Sequence, residues 1–343
     1  MINDYLLDQT TTSGVSAEGT QIPFVAGFPE IFDSSMLASR KACPEQFRKT
    51  YIQHWKAKGT SVHLHAGGAF AKGLEVTRKA FYTGEIVGFV NGQWVSIQRE
   101  PQDAGTAIAL GLKALLAFYG GFDCPSASAK SAERMCGAFE FYFSNYPLDH
   151  DDGHPITVPG GARAIEYSFA HPLPIQHPVT GNPLLYVGRM DAIIQYAGGC
   201  YICDEKTTTQ LGASWPRQWD LRGQFTGYAW GCQQAGIKVE GAIVRGVSIL
   251  KTKYDTAQSI NYRPEWQINR WYDELLEWVE DTIRDWKQRG PDKPWRHNLD
   301  HSCAEYGGCQ FREACLSMDE QPWLETAFER REWNPLLREE KKL

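Results

Sequence analysis

Gly188-Arg-Met-Asp191 and, a few residues on, Cys203-Asp-Glu-Lys-Thr207 set two acids and a lysine at the ends of two apolar runs. The first run is Leu184–Ile194, and Gly198-Gly199 turns the chain into Tyr201-Ile-Cys203. The pattern predicts an antiparallel pair whose strand ends lie side by side. Asp204 and Lys206 alternate onto one face. Asp204 directly follows apolar residues, where an unpaired charge is costly unless a ligand or partner compensates it. Two carboxylates and an ammonium converging on one point suit metal-assisted hydrolysis of a phosphodiester. Carboxylates hold a hard divalent cation, and cation and lysine together polarise water and stabilise charge on the phosphate. The plainer alternative for Asp-x-Lys is a solvated strand face.

A second block follows in register. Trp215-Pro216 opens a helical stretch, and Gln224-Phe-Thr-Gly-Tyr228 places Gln224 and Tyr228 on one helix face. Gly-x-x-Asp, a strand ending in Asp-x-Lys-Thr, then Gln-x-x-x-Tyr resembles the RecB-like branch of the PD-(D/E)XK nucleases. The resemblance implies that Asp191, Asp204, Lys206, Gln224 and Tyr228 form the catalytic set. In that family a preceding helix carries Gly-x-x-x-His-x-x-Leu-Glu. Here the segment is Gly67-Gly-Ala-Phe-Ala71-Lys-Gly-Leu-Glu75, with alanine in the histidine position. Glu75 is then one candidate for a third metal contact. Glu166, in Ala164-Ile-Glu-Tyr-Ser-Phe169 on the strand expected beside Asp191, is the other. His65 is close by but off register and reads as a loop residue.

Nine cysteines are present, and three cluster as Cys303-x5-Cys309-x5-Cys315 with glycines between the first two. Three thiolates leave a four-coordinate site one ligand short. Cys43, in Arg40-Lys-Ala-Cys-Pro-Glu-Gln-Phe47, is the best fourth candidate. One distant N-terminal cysteine plus a C-terminal triplet resembles the iron–sulfur RecB-like nucleases, which include AddB-type subunits and CRISPR-associated exonucleases. Many of those space the triplet Cys-x2-Cys-x5-Cys, a shorter first gap. The resemblance implies a [4Fe–4S] cluster on Cys43, Cys303, Cys309 and Cys315. Zinc is the rival, but structural zinc usually shows Cys-x2-4-Cys knuckles. Cys200-Tyr-Ile-Cys203 lies in a strand and reads as structural, as do Cys124, Cys136 and Cys232.

Lys and Arg total 35 against 41 Asp and Glu, a net charge of −6, so nucleic acid would need a local basic track. Candidates are Arg40, Lys41, Arg48, Lys49, Arg217 and Arg222, and some of the 12 tryptophans could stack on unpaired bases. Met1-Ile-Asn-Asp-Tyr5 has no basic n-region, and no apolar run reaches about 18 residues. The expectation is a cytoplasmic protein without membrane association. Gly-x4-Gly-Lys-Ser/Thr is absent, which excludes a P-loop motor within the chain.

The elements that must position these groups run as follows. An irregular arm spans 1–34, a helix carrying Cys43 spans 35–56, and the Glu75 helix spans 66–82. An Ala-rich helical stretch spans 103–146, broken at Gly120-Gly121 and Pro125, and Asp149-His-Asp-Asp-Gly-His154 reads as a polar turn. Strands follow near 162–170, 184–196 and 200–206, then a helix near 216–235, a strand near 239–251 and a helix near 264–289. Trp271, Leu275, Trp278 and Trp286 mark the last helix's apolar stripe.

The expected fold is α/β: a restriction-endonuclease-like core, with a mixed central sheet flanked by helices. One elaborated nuclease domain would span 1–343, with a helical insertion at 83–160 and an Fe–S region at 290–320 completed by Cys43. The expected function is a Mg²⁺- or Mn²⁺-dependent deoxyribonuclease, an exonuclease on single-stranded or end-resected DNA, with recombination or helicase proteins as partners. Asp191 and Asp204 bind the cation, with Glu75 or Glu166 as the third contact. The alternatives are a catalytically decayed DNA-binding or recombination subunit and a zinc-stabilised binding module.

Overall fold

In a computed structural model the chain is described over residues 26–59, 61–299, 301–304, 308–337 and 340–342. Most of the expected N-terminal arm lies outside these residues.

Strand β1 (Ile31–Phe32) leads into helix α1 (Ser34–Ala42), which Asp33 caps by accepting from the Met36 N–H at 2.8 Å. The single helix expected over 35–56 is broken. Cys43 is extended (φ −162°, ψ 118°), because the residue before a proline is pushed out of the helical region. The chain restarts as α2 (Pro44–Phe47), continues through a π turn (Arg48–Ile52) and ends in β2 (Trp55–Ala57). Cys43 therefore sits at a corner rather than inside a helix.

Helix α3 (Val62–Thr83) starts on a Ser61 cap and stops at Gly84. Gly84 has φ 72°, and a Cβ there would lie 2.0 Å from the Arg99 carbonyl oxygen, so only glycine fits. The segment read as a helical insertion opens on a hairpin, β3 (Glu85–Val90) and β4 (Gln93–Gln98), turned by Asn91-Gly92 with φ 49° and 80°. Helices α4 (Ala104–Tyr119) and α5 (Ala132–Asn145) follow, capped by Asp103 and Ser131.

Among the described residues the central sheet has seven strands, of which β1 is the first. The others are β5 (His154–Pro155), β6 (Ile165–Gln176), β7 (Pro183–Tyr196), β8 (Gly199–Thr208), β9 (Gly241–Ile249) and β10 (Tyr254–Tyr262). It is mixed: β1–β7 and β8–β9 run parallel, and the other pairs are antiparallel. The β7–β8 turn is made by Ala197 and Gly198, with Gly199 already paired to Tyr196. A 3₁₀ turn (Pro216–Trp219) and helix α6 (Gly223–Gln234) form the crossover between the parallel pair β8 and β9. Helix α7 (Glu265–Arg289) buries Ile268, Trp271, Leu275 and Val279, with Trp278 and Trp286 half-buried.

Two apolar clusters cover the sheet. Residues of α1, α6 and α7 pack with Met190, Ile193, Ile202 and Val244, while α3, α4 and α5 pack with Val247 and Ile249. β9 is buried along its whole length, as expected of a central strand covered on both faces. The protein is thus α/β, a mixed sheet flanked by helices. The C-terminal segment adds α8 (His301–Ala304), α9 (Arg312–Leu316), α10 (Gln321–Ala327), β11 (Phe328–Arg330) and β12 (Glu340–Lys342). β11 pairs with β2, which ties the C-terminal segment to the 55–57 strand. Among the described residues no helix is long and apolar enough to cross a membrane.

Candidate active site

Strand register lines up three carboxylates. On β6 and β7, Ile165 faces Ala192 and Tyr167 faces Met190, which sets Glu166 across from Asp191. On β7 and β8 the ladder runs from Tyr196↔Gly199 to Ala192↔Cys203 and stops there. The next step would pair Asp191 with Asp204. There the Glu205 N–H donates to the Asp191 carboxylate at 3.2 Å. Glu166 has φ 50°, a left-handed conformation that is strained for a non-glycine residue in a strand. Its carboxylate is 3.2 Å from the Arg189 guanidinium.

Alternation along β8 separates Asp204 and Lys206 from the residue between them. Lys206 Nζ is 2.5 Å from Asp204 Oδ2, and the lysine side chain is 36% exposed while that of Asp204 is 4% exposed. Lysine thus spans from a buried acid to solvent. The buried Asp204 carboxylate thus has the Lys206 ammonium as its close charged partner.

The electrostatics follow from burial. Burial raises Asp191 to about 7, and the Asp204 and Glu205 carboxylates push the same way against Lys206. Burial raises Glu166 to about 8, helped by Glu75 and Asp191. Asp204 is raised by burial and pulled back by Lys206. Burial opposes the charge on Lys206, but Asp204 and Asp191 outweigh it and raise the lysine. Such mutually repelling acids are what a divalent cation relieves.

Glu75 lies within electrostatic reach of Glu166 but is held on its own helix by Lys72 at 3.0 Å and Lys79 at 2.7 Å. Ala71, one turn earlier, is exposed. Among the described residues no group of three or more His, Cys, Asp or Glu side chains is placed so that it could hold a metal ion. The acids form an open row of oxygen donors, and that donor chemistry fits Mg²⁺ or Mn²⁺.

Gln224 Nε2 donates to the Tyr228 hydroxyl at 3.1 Å, and Tyr228 is buried within electrostatic reach of Asp204 and Asp191. Gly188 admits this ring. A Cβ there would lie 2.9 Å from Tyr228 Cε1 and 2.7 Å from Phe169. The glycine of Gly-x-x-Asp is therefore a packing requirement.

A cleft of about 1040 Å³ runs between α1, the 217–226 segment and α7. Lys41, Arg217, Arg222, Gln224 and Arg270 line it; the carboxylate row does not. Arg222 and Gln224 connect the two, since Arg222 also acts on Asp204. Three of the expected basic residues are removed from any such track. Arg40 is buried against Asp285 at 2.5 Å, Arg48 against Glu45 at 2.6 Å, and Lys49 lies 2.5 Å from Glu320. The polar turn is no ligand cluster: Asp151 pairs with Arg245 at 2.6 Å, and Asp149 and His150 are exposed. His65 bonds the Tyr119 carbonyl at 2.9 Å and stacks on Phe122.

The four cysteines lie within electrostatic reach of one another, though among the described residues no three of them are grouped so that they could hold a metal ion. The Cys309 thiol interacts electrostatically with Cys43 and Cys303, and the Cys315 thiol with Cys309 and Cys43. Gly308, with φ 98°, turns the chain so that the Cys309 N–H donates to the Cys303 carbonyl at 3.1 Å. Cys315 is solvent-exposed as a residue, and partial desolvation of its thiol pushes it up to about 11 against the pull of the nearby Lys49 ammonium. A set of four thiols fits either an iron–sulfur cluster or zinc. Cys200 and Cys203 lie in β8, away from this group, with Cys203 in the core.

No protein-family model matches the chain, and no curated protein matches it. Among solved structures, the crystal structure of SSO0001 is similar at 16% identity with a TM-score of 0.22. That match covers 35% of this chain and 48% of the other, about half its length.

Sequence reasoning missed the groups behind the row. Glu205 is gripped there by Arg78 from α3 and Tyr142 from α5, and Arg189 pairs with Glu166. The available signal was Arg245, an arginine inside the mostly apolar run Gly241–Ile249.

Proposed function

We propose that this protein is a divalent-metal-dependent nuclease, a RecB-like member of the restriction-endonuclease-like fold that acts on single-stranded or end-resected DNA. The observation that carries the reading is the row Glu166–Asp191–Asp204 across three adjacent strands, with the Lys206 ammonium 2.5 Å from Asp204. Asp191 and Asp204, with Glu166 or Glu75, would hold Mg²⁺ or Mn²⁺. When bound, the cation supplies Lewis-acid polarisation of the phosphate and acidifies a water. Lys206 reaches solvent from the buried acid, so its ammonium can orient the attacking water and neutralise charge that builds on the phosphate oxygens. Gln224, held by Tyr228, faces the cleft and positions the strand, while Arg222 and Arg217 contact its phosphates. Cys43, Cys303, Cys309 and Cys315 would hold a [4Fe–4S] cluster that ties the α1–α2 corner to the C-terminal segment.

A non-catalytic DNA-binding reading has one observation in its favour: Ala71 offers no donor where the family has histidine. Digestion of end-labelled single- and double-stranded DNA by anaerobically purified protein, with and without Mg²⁺ or Mn²⁺, separates the two.

A further inference from the structure

We propose that Glu205 is the positioning residue of the carboxylate site: anchored behind the sheet by Arg78 and Tyr142, it fixes the peptide that holds Asp191 and presents Asp204 and Lys206. The proposal rests on the nuclease reading.

Glu205 sits between Asp204 and Lys206 and points to the opposite face of β8. Its carboxylate accepts from Arg78 Nη1 at 3.1 Å and again from Nη2, a two-point grip. The Tyr142 hydroxyl donates to the same carboxylate at 2.9 Å and the Cys203 thiol at 3.3 Å. Behind this layer, Arg245 donates to the Tyr142 oxygen at 3.4 Å and is itself fixed by Asp151 at 2.6 and 2.9 Å. Burial alone would raise Glu205, but Arg78 outweighs it and holds the carboxyl at about 2.

This anchorage stands where the strand needs it. Beyond Cys203 the ladder to β7 has ended, and β8 is paired only to β9. The free side of the strand is where Asp191 must be held, and the Glu205 N–H does so. A shift of the Glu205 peptide would therefore move Asp191, Asp204 and Lys206 together. Arg78 also lies one turn beyond Glu75 on α3, so the ion pair sets the register of that helix against β8.

Mn²⁺ binding measured by electron paramagnetic resonance, well below each melting temperature, tests this on wild type, Glu205→Gln and Arg78→Met/Glu205→Leu. The double variant replaces the buried pair with apolar groups of similar size, a change that folds tolerate. The expected result is Mn²⁺ affinity weakened about 10- to 100-fold, as for other groups that orient ligands. In metal-dependent cleavage kcat should fall while KM for DNA holds. A purely structural ion pair would move the melting temperature and leave Mn²⁺ affinity untouched, and wild-type affinity in either folded variant overturns the proposal. A wild-type protein that neither binds Mn²⁺ nor cuts DNA overturns the nuclease reading, and the positioning role with it.

Discussion

Asp191 and Asp204 face one another across β7 and β8 at the first step beyond the last ladder pair, Ala192↔Cys203. The sheet thus opens where its two central acids meet. A continued ladder would have closed the gap in which the proposed cation and phosphate would sit.

The pH dependence of stability follows from this crowding. Asp191 and Glu166 are raised to about 7 and about 8, from ordinary values of 3.8 and 4.5. The folded state therefore binds protons more tightly than the unfolded state, and the metal-free protein loses stability as pH rises between those limits. Melting temperature should fall from pH 5 to pH 8 through these groups, and Mg²⁺ should restore it at pH 8 while doing little at pH 5. Calorimetry at the two pH values checks this; an Mg²⁺ effect equal at both would contradict it.

Asp191→Asn should separate stability from function. The amide oxygen can still accept from the Glu205 N–H, while repulsion with Asp204 disappears. The metal-free variant should gain on the order of 1–3 kcal/mol at pH 8 and lose cleavage. Urea unfolding alongside the digestion assay measures both.

Gly188→Ala should act through Tyr228. The new Cβ would meet Phe169 and Tyr228 at 2.7 and 2.9 Å, and a packed core resists such insertion by about 1–3 kcal/mol. A lower melting temperature together with reduced cleavage is expected, and an unchanged cleavage rate would show that the ring position is not needed.

The cysteine group makes a visual prediction. Anaerobically purified protein should be brown, with broad absorption near ~400 nm. Cys43→Ala should bleach it, and Cys200→Ala should not. A colourless protein carrying one zinc per chain would replace the cluster with zinc and leave the carboxylate site as it is.

Legibility differed by element for physical reasons. Strands β7 and β8 were readable because long apolar runs flank a glycine turn, and helix α7 because its apolar residues recur at helical spacing. β10, Tyr254–Tyr262, was missed because an edge strand needs few apolar side chains and this one is largely polar. The β3–β4 hairpin carried an Asn91-Gly92 turn signal that the helical reading of 83–160 passed over. The break at Cys43 follows from Pro44, a local rule that the expected 35–56 helix ignored. Asp191, Asp204 and Lys206 came from two neighbouring strands, so sequence order nearly equals proximity. Arg78 and Tyr142 reach Glu205 from 127 and 63 residues away, beyond any local pattern. Nor does any sequence pattern announce the left-handed backbone of Glu166.

The central claim is tested most directly by metal-dependent digestion of end-labelled single-stranded DNA by wild type, Asp204→Ala and Lys206→Ala, with folding of each checked by circular dichroism. Wild type should cut only with Mg²⁺ or Mn²⁺, Asp204→Ala should be inactive, and Lys206→Ala should lose about 10²–10³-fold in kcat. Near wild-type cleavage by either folded variant, or no metal-dependent cleavage by wild type, would contradict the account.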